Sequence, residues 1–83
     1  EYSKALEYYE KSLEIKKKSL PANHPLLATS YNNIGWVYRN KTDYKKALDY
    51  YERALDIWQR SLPSNHPDIQ DVKKSIDFVK KKL

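Results

Sequence analysis

EYSKALEYYEKSLEIKKKSLPANHP, residues 1–25, returns as DYKKALDYYERALDIWQRSLPSNHP, residues 43–67, with 15 of 25 positions identical at an offset of 42. Tyr2, Ala5, Leu6, Tyr8, Tyr9, Glu10, Leu13 and Ile15 recur as Tyr44, Ala47, Leu48, Tyr50, Tyr51, Glu52, Leu55 and Ile57. Ser19-Leu20-Pro21 recurs as Ser61-Leu62-Pro63, and Asn23-His24-Pro25 as Asn65-His66-Pro67. Beyond that point the match fades, with Ile34/Ile76 and Val37/Val79 identical and Trp36/Phe78 similar. A fixed offset of this size is the mark of a stack of supersecondary units, each burying its apolar face on its neighbour.

Each copy of the repeated stretch reads as helix. Tyr2, Ala5, Leu6, Tyr9 and Leu13 fall at the spacing that lines one helix face, and Tyr8, Ser12, Ile15 and Ser19 form a second stripe beside it. Two apolar stripes suit a helix packed between neighbours. Residues 43–62 repeat both stripes. Pro21 and Pro63 stop these helices, because an interior proline loses a hydrogen bond and clashes with the preceding turn.

Asn-His-Pro reads as a helix start, with Pro at the first turn and His or Asn as the cap. Residues 25–40 follow with Leu27, Tyr31, Ile34 and Tyr38 in phase, and Asn40-Lys41-Thr42-Asp43 forms the turn, with Thr42 or Asp43 capping the next helix. Residues 67–82 hold Ile69, Val72, Ile76 and Val79 inward and are otherwise mostly polar, as a terminal cap must be. The fold expected is all-α: an α-solenoid of antiparallel helix pairs, with helices at about 2–20, 25–40, 43–62 and 67–82. Its organisation is a single domain, in which 1–20 is a half repeat, 25–62 a full repeat and 67–83 a C-terminal capping helix.

Composition narrows the chemistry. Leu, Ile, Val and Phe make up only 18 of 83 residues, and eight Tyr and two Trp supply the remaining apolar bulk. The single Gly argues against a turn-rich all-β fold and against a Gly-rich phosphate loop. The absence of Cys excludes disulfides, thiolate metal sites and thiol nucleophiles, and fits a reducing compartment, so a cytoplasmic location is expected. Lys and Arg exceed Asp and Glu by five, but the charges are interspersed and often paired at helical spacing, as in Glu7/Lys11 and Glu14/Lys18. Solvated helix faces account for them, and neither nucleic acid nor membrane is expected as a partner. The apolar runs are far too short to cross a bilayer. The chain starts inside a helical pattern without an initiator Met, so an excerpt of something longer is expected. A chain this short buries little core, which calls for long, well-packed helices or a second copy.

The stretch Tyr31-x2-Ile34-Gly35-x2-Tyr38, followed by Tyr44-x2-Ala47-x3-Tyr51-x2-Ala54, resembles the tetratricopeptide repeat. The resemblance covers nearly the whole chain. Tyr31 stands where that family opens with Trp, and Thr42 where its turn has Gly. The proline that ends the usual repeat is delayed from the position of Gln59 to Pro63, which lengthens the second helix. This long form, with its Tyr-Asn-Asn-Ile-Gly, Ala-Leu-x-Tyr-Tyr and His-Pro pieces, is similar to the kinesin light chain type of repeat. The resemblance implies that Gly35, Ala47 and Ala54 sit where helices approach closely. It also implies a non-catalytic module that binds a protein or peptide segment in a concave groove lined by the first helix of each repeat.

On residues 25–40 the outward positions by spacing are Thr29, Asn32, Asn33, Trp36 and Arg39, with Asn40 at the end. These are the candidate peptide contacts. Amides can bond a peptide backbone from either side, Trp36 can offer apolar contact, and Arg39 can pair with a carboxylate. Family members that clamp a carboxylate tail use an Asn at the place of Asn33. Their basic partners come from adjacent repeats, and the next first helix carries Asp71, Lys74, Ser75 and Phe78. The alternative for these residues is capping, packing or solvation, with Trp36 packed against Phe78. The alternative for the chain is a structural or engineered repeat fragment that self-associates as a homo-oligomer through an exposed helix face at Tyr2, Tyr8 and Ile15, with no ligand. No catalytic residue, cofactor or metal is expected. Ser64, His66 and Asp68 compose a hydrolytic triad only on paper, without an oxyanion loop, and His24 and His66 read as helix-start residues.

Overall fold

The computed structural model describes all residues from Glu1 to Leu83. Four helices form a slab of 31 × 29 × 16 Å: α1 (Tyr2–Ser19), α2 (Pro25–Asn40), α3 (Tyr44–Ser61) and α4 (Pro67–Lys82). Each helix packs on its neighbour in sequence, and the contact of α2 with α3 is the most extensive. The expected all-α architecture is what the chain adopts. The ends of α1 and α3 come slightly earlier than the proline rule places them. Leu20 and Leu62, each next to a proline, are already extended, because the residue before Pro is pushed out of the helical region.

Local chemistry sets the other ends. The imidazoles of His24 and His66 cap α2 and α4: each Nδ1 accepts a hydrogen bond from the backbone N–H two residues on, Leu26 and Asp68 respectively, at 3.1 Å. Pro25 and Pro67 fill the first helical position, where no N–H is needed. Between α2 and α3 the backbone closes a Schellman turn, in which Asp43 N–H reaches Tyr38 O at 2.9 Å and Thr42 N–H reaches Arg39 O at 3.0 Å. That turn needs one residue in the left-handed region, and Thr42 supplies it at φ 63°. Asp43 then caps α3 through Oδ1 to Lys46 N–H at 3.3 Å.

The core runs through α2, α3 and α4. Leu27, Ala28, Ile34 and Val37 meet Ala47, Tyr51, Ala54, Ile57 and Trp58, and Ile69, Val72, Ile76 and Val79 close the far side. From α1 only Leu6 and Leu13 are buried. Gly35 sits at the closest approach. A Cβ there would lie 2.9 Å from Tyr51 Cδ1 and 3.3 Å from the Ala47 carbonyl oxygen. Tyr51 is 1% exposed and has nowhere to swing.

Two substitutions should therefore move stability in opposite directions. Gly35→Ala gains helix propensity but overpacks α2 against α3, and a net loss of about 1–3 kcal/mol is expected in denaturant unfolding. Thr42→Gly relieves a β-branched residue held at positive φ, and a gain of about 1 kcal/mol is expected in the same assay.

Candidate peptide-binding groove

The outward face of α2 lies opposite the stripe of Leu27, Ile34 and Tyr38 that the core takes. Thr29 is exposed, and its hydroxyl donates back to the Pro25 carbonyl at 3.4 Å. Asn40, also exposed, turns back on its own helix, its Nδ2 donating to the Trp36 carbonyl at 2.8 Å. Asn32 and Asn33 are half-buried. Trp36 is 52% exposed, a large ring left open to solvent in the middle of the face.

Arg39 ties this face to α4. Its guanidinium carbon stands 4.2 Å from the Phe78 ring centroid, a cation–π contact that bridges the two helices. Phe78 is thus met by Arg39, and the alternative pairing of Trp36 with Phe78 is not adopted. Lys82 adds a second cation to the same ring at 5.4 Å. The Arg39–Phe78 contact thus joins the outward face of α2, with Trp36 on it, to α4.

Beneath it lies a group that sequence reasoning missed. The Tyr51 hydroxyl is buried and finds no partner in hydrogen-bond geometry. Burial pushes its pKa up, and Arg39 and Ser75 beside it offset part of that rise without meeting bonding geometry. The repeat pattern marks Tyr51 as a packing ring, but only the depth of α3 against α2 decides where the ring's polar end stops.

A second tyrosine cluster holds the opposite side of α2. Tyr50 of α3 lies between Tyr38, at 5.6 Å and nearly parallel, and Tyr31, at 6.1 Å. Arg53 stands over Tyr31 and Tyr50, and Lys41 and Lys46 over Tyr38. Burial, with Glu10 nearby, raises the pKa of Tyr38, and burial raises that of Tyr50 with Tyr38 and Glu10 adding.

The residues named for self-association do not share one face. Tyr8 and Ile15 stand out at 68% and 67% exposure and line, with Lys11, Ser12 and Lys16, an open dimple of about 310 Å³ on α1. Tyr2 is 44% exposed, but by spacing it continues the buried stripe of Leu6, Tyr9 and Leu13 and is open only because it begins the helix. His66 Nδ1 accepts from the backbone N–H of Asp68, the helix-start role that its sequence position suggests. No three His, Cys, Asp or Glu side chains gather closely enough to hold a metal ion, and no helix is long and apolar enough to cross a membrane.

Antiparallel neighbours, a small residue at their closest approach and a Schellman turn between them decide the architecture, and residues 1–68 match the family model of the tetratricopeptide repeat. The chain belongs to the tetratricopeptide repeat family. Members of this family are generally protein–protein interaction modules and are typically non-catalytic. The match ends just inside α4, where charged residues replace the repeat's aromatic positions. No curated protein matches this tetratricopeptide repeat chain with significance.

Alkaline pH probes the buried hydroxyls. A raised tyrosine pKa means that the fold favours the neutral phenol. The associated stability is complete below the ordinary value of 10.0 and is lost as pH rises through the folded value. Unfolding midpoints are expected to fall as pH rises beyond the ordinary tyrosine value of 10.0, and Tyr51→Phe should flatten that fall. At neutral pH the same variant should cost less than about 1 kcal/mol, since the hydroxyl has no bond to lose.

Proposed function

We propose that this chain is a non-catalytic interaction module whose groove, between the outward faces of α2 and α4, holds an extended peptide segment. In this reading α2 and α3 make the complete repeat, α1 is the second helix of a half repeat and α4 is the cap. The observation that carries it is the open face of α2. Asn32, Asn33 and the exposed Trp36 stand on a helix that has no Asp, Glu or Lys and one Arg, at Arg39. A helix surface that serves only as a solvated exterior carries charge, as α1 and α4 do.

The chemistry suits a peptide backbone more than a charged ligand. An amide side chain donates and accepts, so Asn32 and Asn33 can pair with an extended chain without a desolvated charge. Trp36 offers a rigid apolar surface with low entropy cost on contact. Arg39, steadied on Phe78, can pair with one carboxylate of the same segment while keeping its contact with the ring.

Binding can be read by titrating a randomised extended-peptide library against the chain and measuring the selected sequences by calorimetry. Saturable binding is expected, weakened at least about tenfold by Trp36→Ala or Asn33→Ala with helix content unchanged. Absence of any selected binder, or binding indifferent to both substitutions, would sink the reading.

A further inference from the structure

We propose that the gap between α2 and α4 at Arg39, Ser75 and the Tyr51 hydroxyl is a carboxylate-binding subsite. It rests on the groove reading for its ligand, a carboxylate of the bound segment, and names the group by which that segment is anchored.

Polar groups without partners converge at this point. The Tyr51 hydroxyl, on a side chain only 1% exposed, makes no hydrogen bond. A buried hydroxyl normally finds a partner, because leaving it bare costs its desolvation. Arg39 is half-buried and lies on the Phe78 ring at 4.2 Å, yet it enters no ion pair, whereas Arg53 and Arg60 each pair with an aspartate one turn earlier. Ser30 and Ser61 donate back to the carbonyls of Leu26 and Ile57, whereas the half-buried Ser75 makes no such bond. The groups come from α2, α3 and α4, and none belongs to the exposed stripe of α1.

What surrounds the hydroxyl favours negative charge. Burial raises the Tyr51 pKa, and Arg39 and Ser75 both act against that rise, as donors to an oxyanion would. The phenol therefore keeps its proton at neutral pH and is itself a donor to an anion placed beside it. A guanidinium and two hydroxyls, all able to donate, match the two oxygens of a carboxylate. The hydroxyl is shut off from solvent in the free chain. The carboxylate reaches it as Arg39 pivots on the Phe78 ring, a motion that breaks no ion pair.

Charge favours a carboxylate over a phosphate. Asp71, Ser75, Phe78 and Lys82 share one face of α4 by spacing, with Lys82 over the Phe78 ring at 5.4 Å and Asp71 one turn before Ser75. Arg39 and Lys82 against Asp71 leave a single positive charge. One carboxylate neutralises it, and a phosphate dianion overshoots it. Asp71 also turns the acidic part of the segment toward Arg39 and Lys82, away from the start of α4.

Acetate titrated into the 83-residue chain tests the subsite without any peptide. The NMR signal of the hydroxyl-bearing ring carbon of Tyr51 should shift saturably, against chloride at equal ionic strength, and Arg39→Gln should abolish the shift with helicity unchanged. For peptides selected from the randomised library, replacing the carboxylate by an amide should weaken binding at least about tenfold. Tyr51→Phe and Ser75→Ala should each shrink that difference while leaving affinity for the amide form unchanged. Amidating the chain end in one series, and exchanging Asp and Glu for Asn and Gln in another, separates a terminal carboxylate from a side-chain one. Selected peptides that bind equally as amides would overturn the subsite and leave the groove standing. A saturable acetate shift without any selected peptide would uphold the subsite and sink the groove alone. Neither acetate nor peptide binding would overturn both, and a carboxylate preference that survives Arg39→Gln would overturn the subsite. Inorganic phosphate displacing acetate at lower concentration would overturn the choice of a carboxylate.

Discussion

The closest contact in the molecule is that of Gly35 on the ring of Tyr51 and the carbonyl of Ala47. Everything around it follows from the distance it permits between α2 and α3. With no Cβ on α2 at that level, the Tyr51 ring can lie flat and fully buried between the helices. Its hydroxyl then reaches the level of Arg39 and Ser75, where α4 closes over it. The same approach lets Tyr50 slide between Tyr31 and Tyr38 on the other side of the contact. A chain with so few branched aliphatic residues builds its interior from rings that interleave, and interleaving needs one place where two backbones nearly touch.

Tyrosine also determines how the interior meets water. Tyr31, Tyr38 and Tyr50 are half-buried, with rings stacked inward and faces crossed by Arg53, Lys41 and Lys46. Long cationic side chains lie over these rings while their heads stay wet, so the basic excess also shields aromatic surface. The two ends of the slab differ. At α4 the aromatic positions of the repeat have become Lys73 and Lys80, which makes that face polar. At α1 the stripe of Tyr8, Ser12 and Ile15 remains as the repeat specifies it. The outer face of α4 is thus polar, whereas α1 keeps an apolar stripe beside an open dimple.

Much of this was legible from residue spacing. The duplication marked the helices, and Pro21, Pro63 and the Asn-His-Pro pieces marked their breaks nearly to the residue. Thr42 could be seen to stand in a glycine's place, but its positive φ follows from the Schellman turn that the α2–α3 contact imposes. The candidate site was legible as a face. Thr29, Asn32, Asn33, Trp36 and Arg39 do share one side of α2. How they divide was not, since Thr29 and Asn40 bond their own helix while Arg39 leaves for α4. Helical spacing orders residues around one axis and is silent about a neighbouring axis.

The sequence alone determined the periods, the stops and the stripes, because these are local consequences of backbone geometry and side-chain volume repeated at a fixed offset. It therefore settled that the chain is helical, repeated and paired. Tertiary structure decided which of two corresponding stripes is buried. Tyr8 and Tyr50 carry the same residue type in the same local context, yet Tyr8 is exposed and Tyr50 stacks between two rings. The difference lies in the neighbour, since burial is a property of pairs of helices and only one of these two has α2 lying over it.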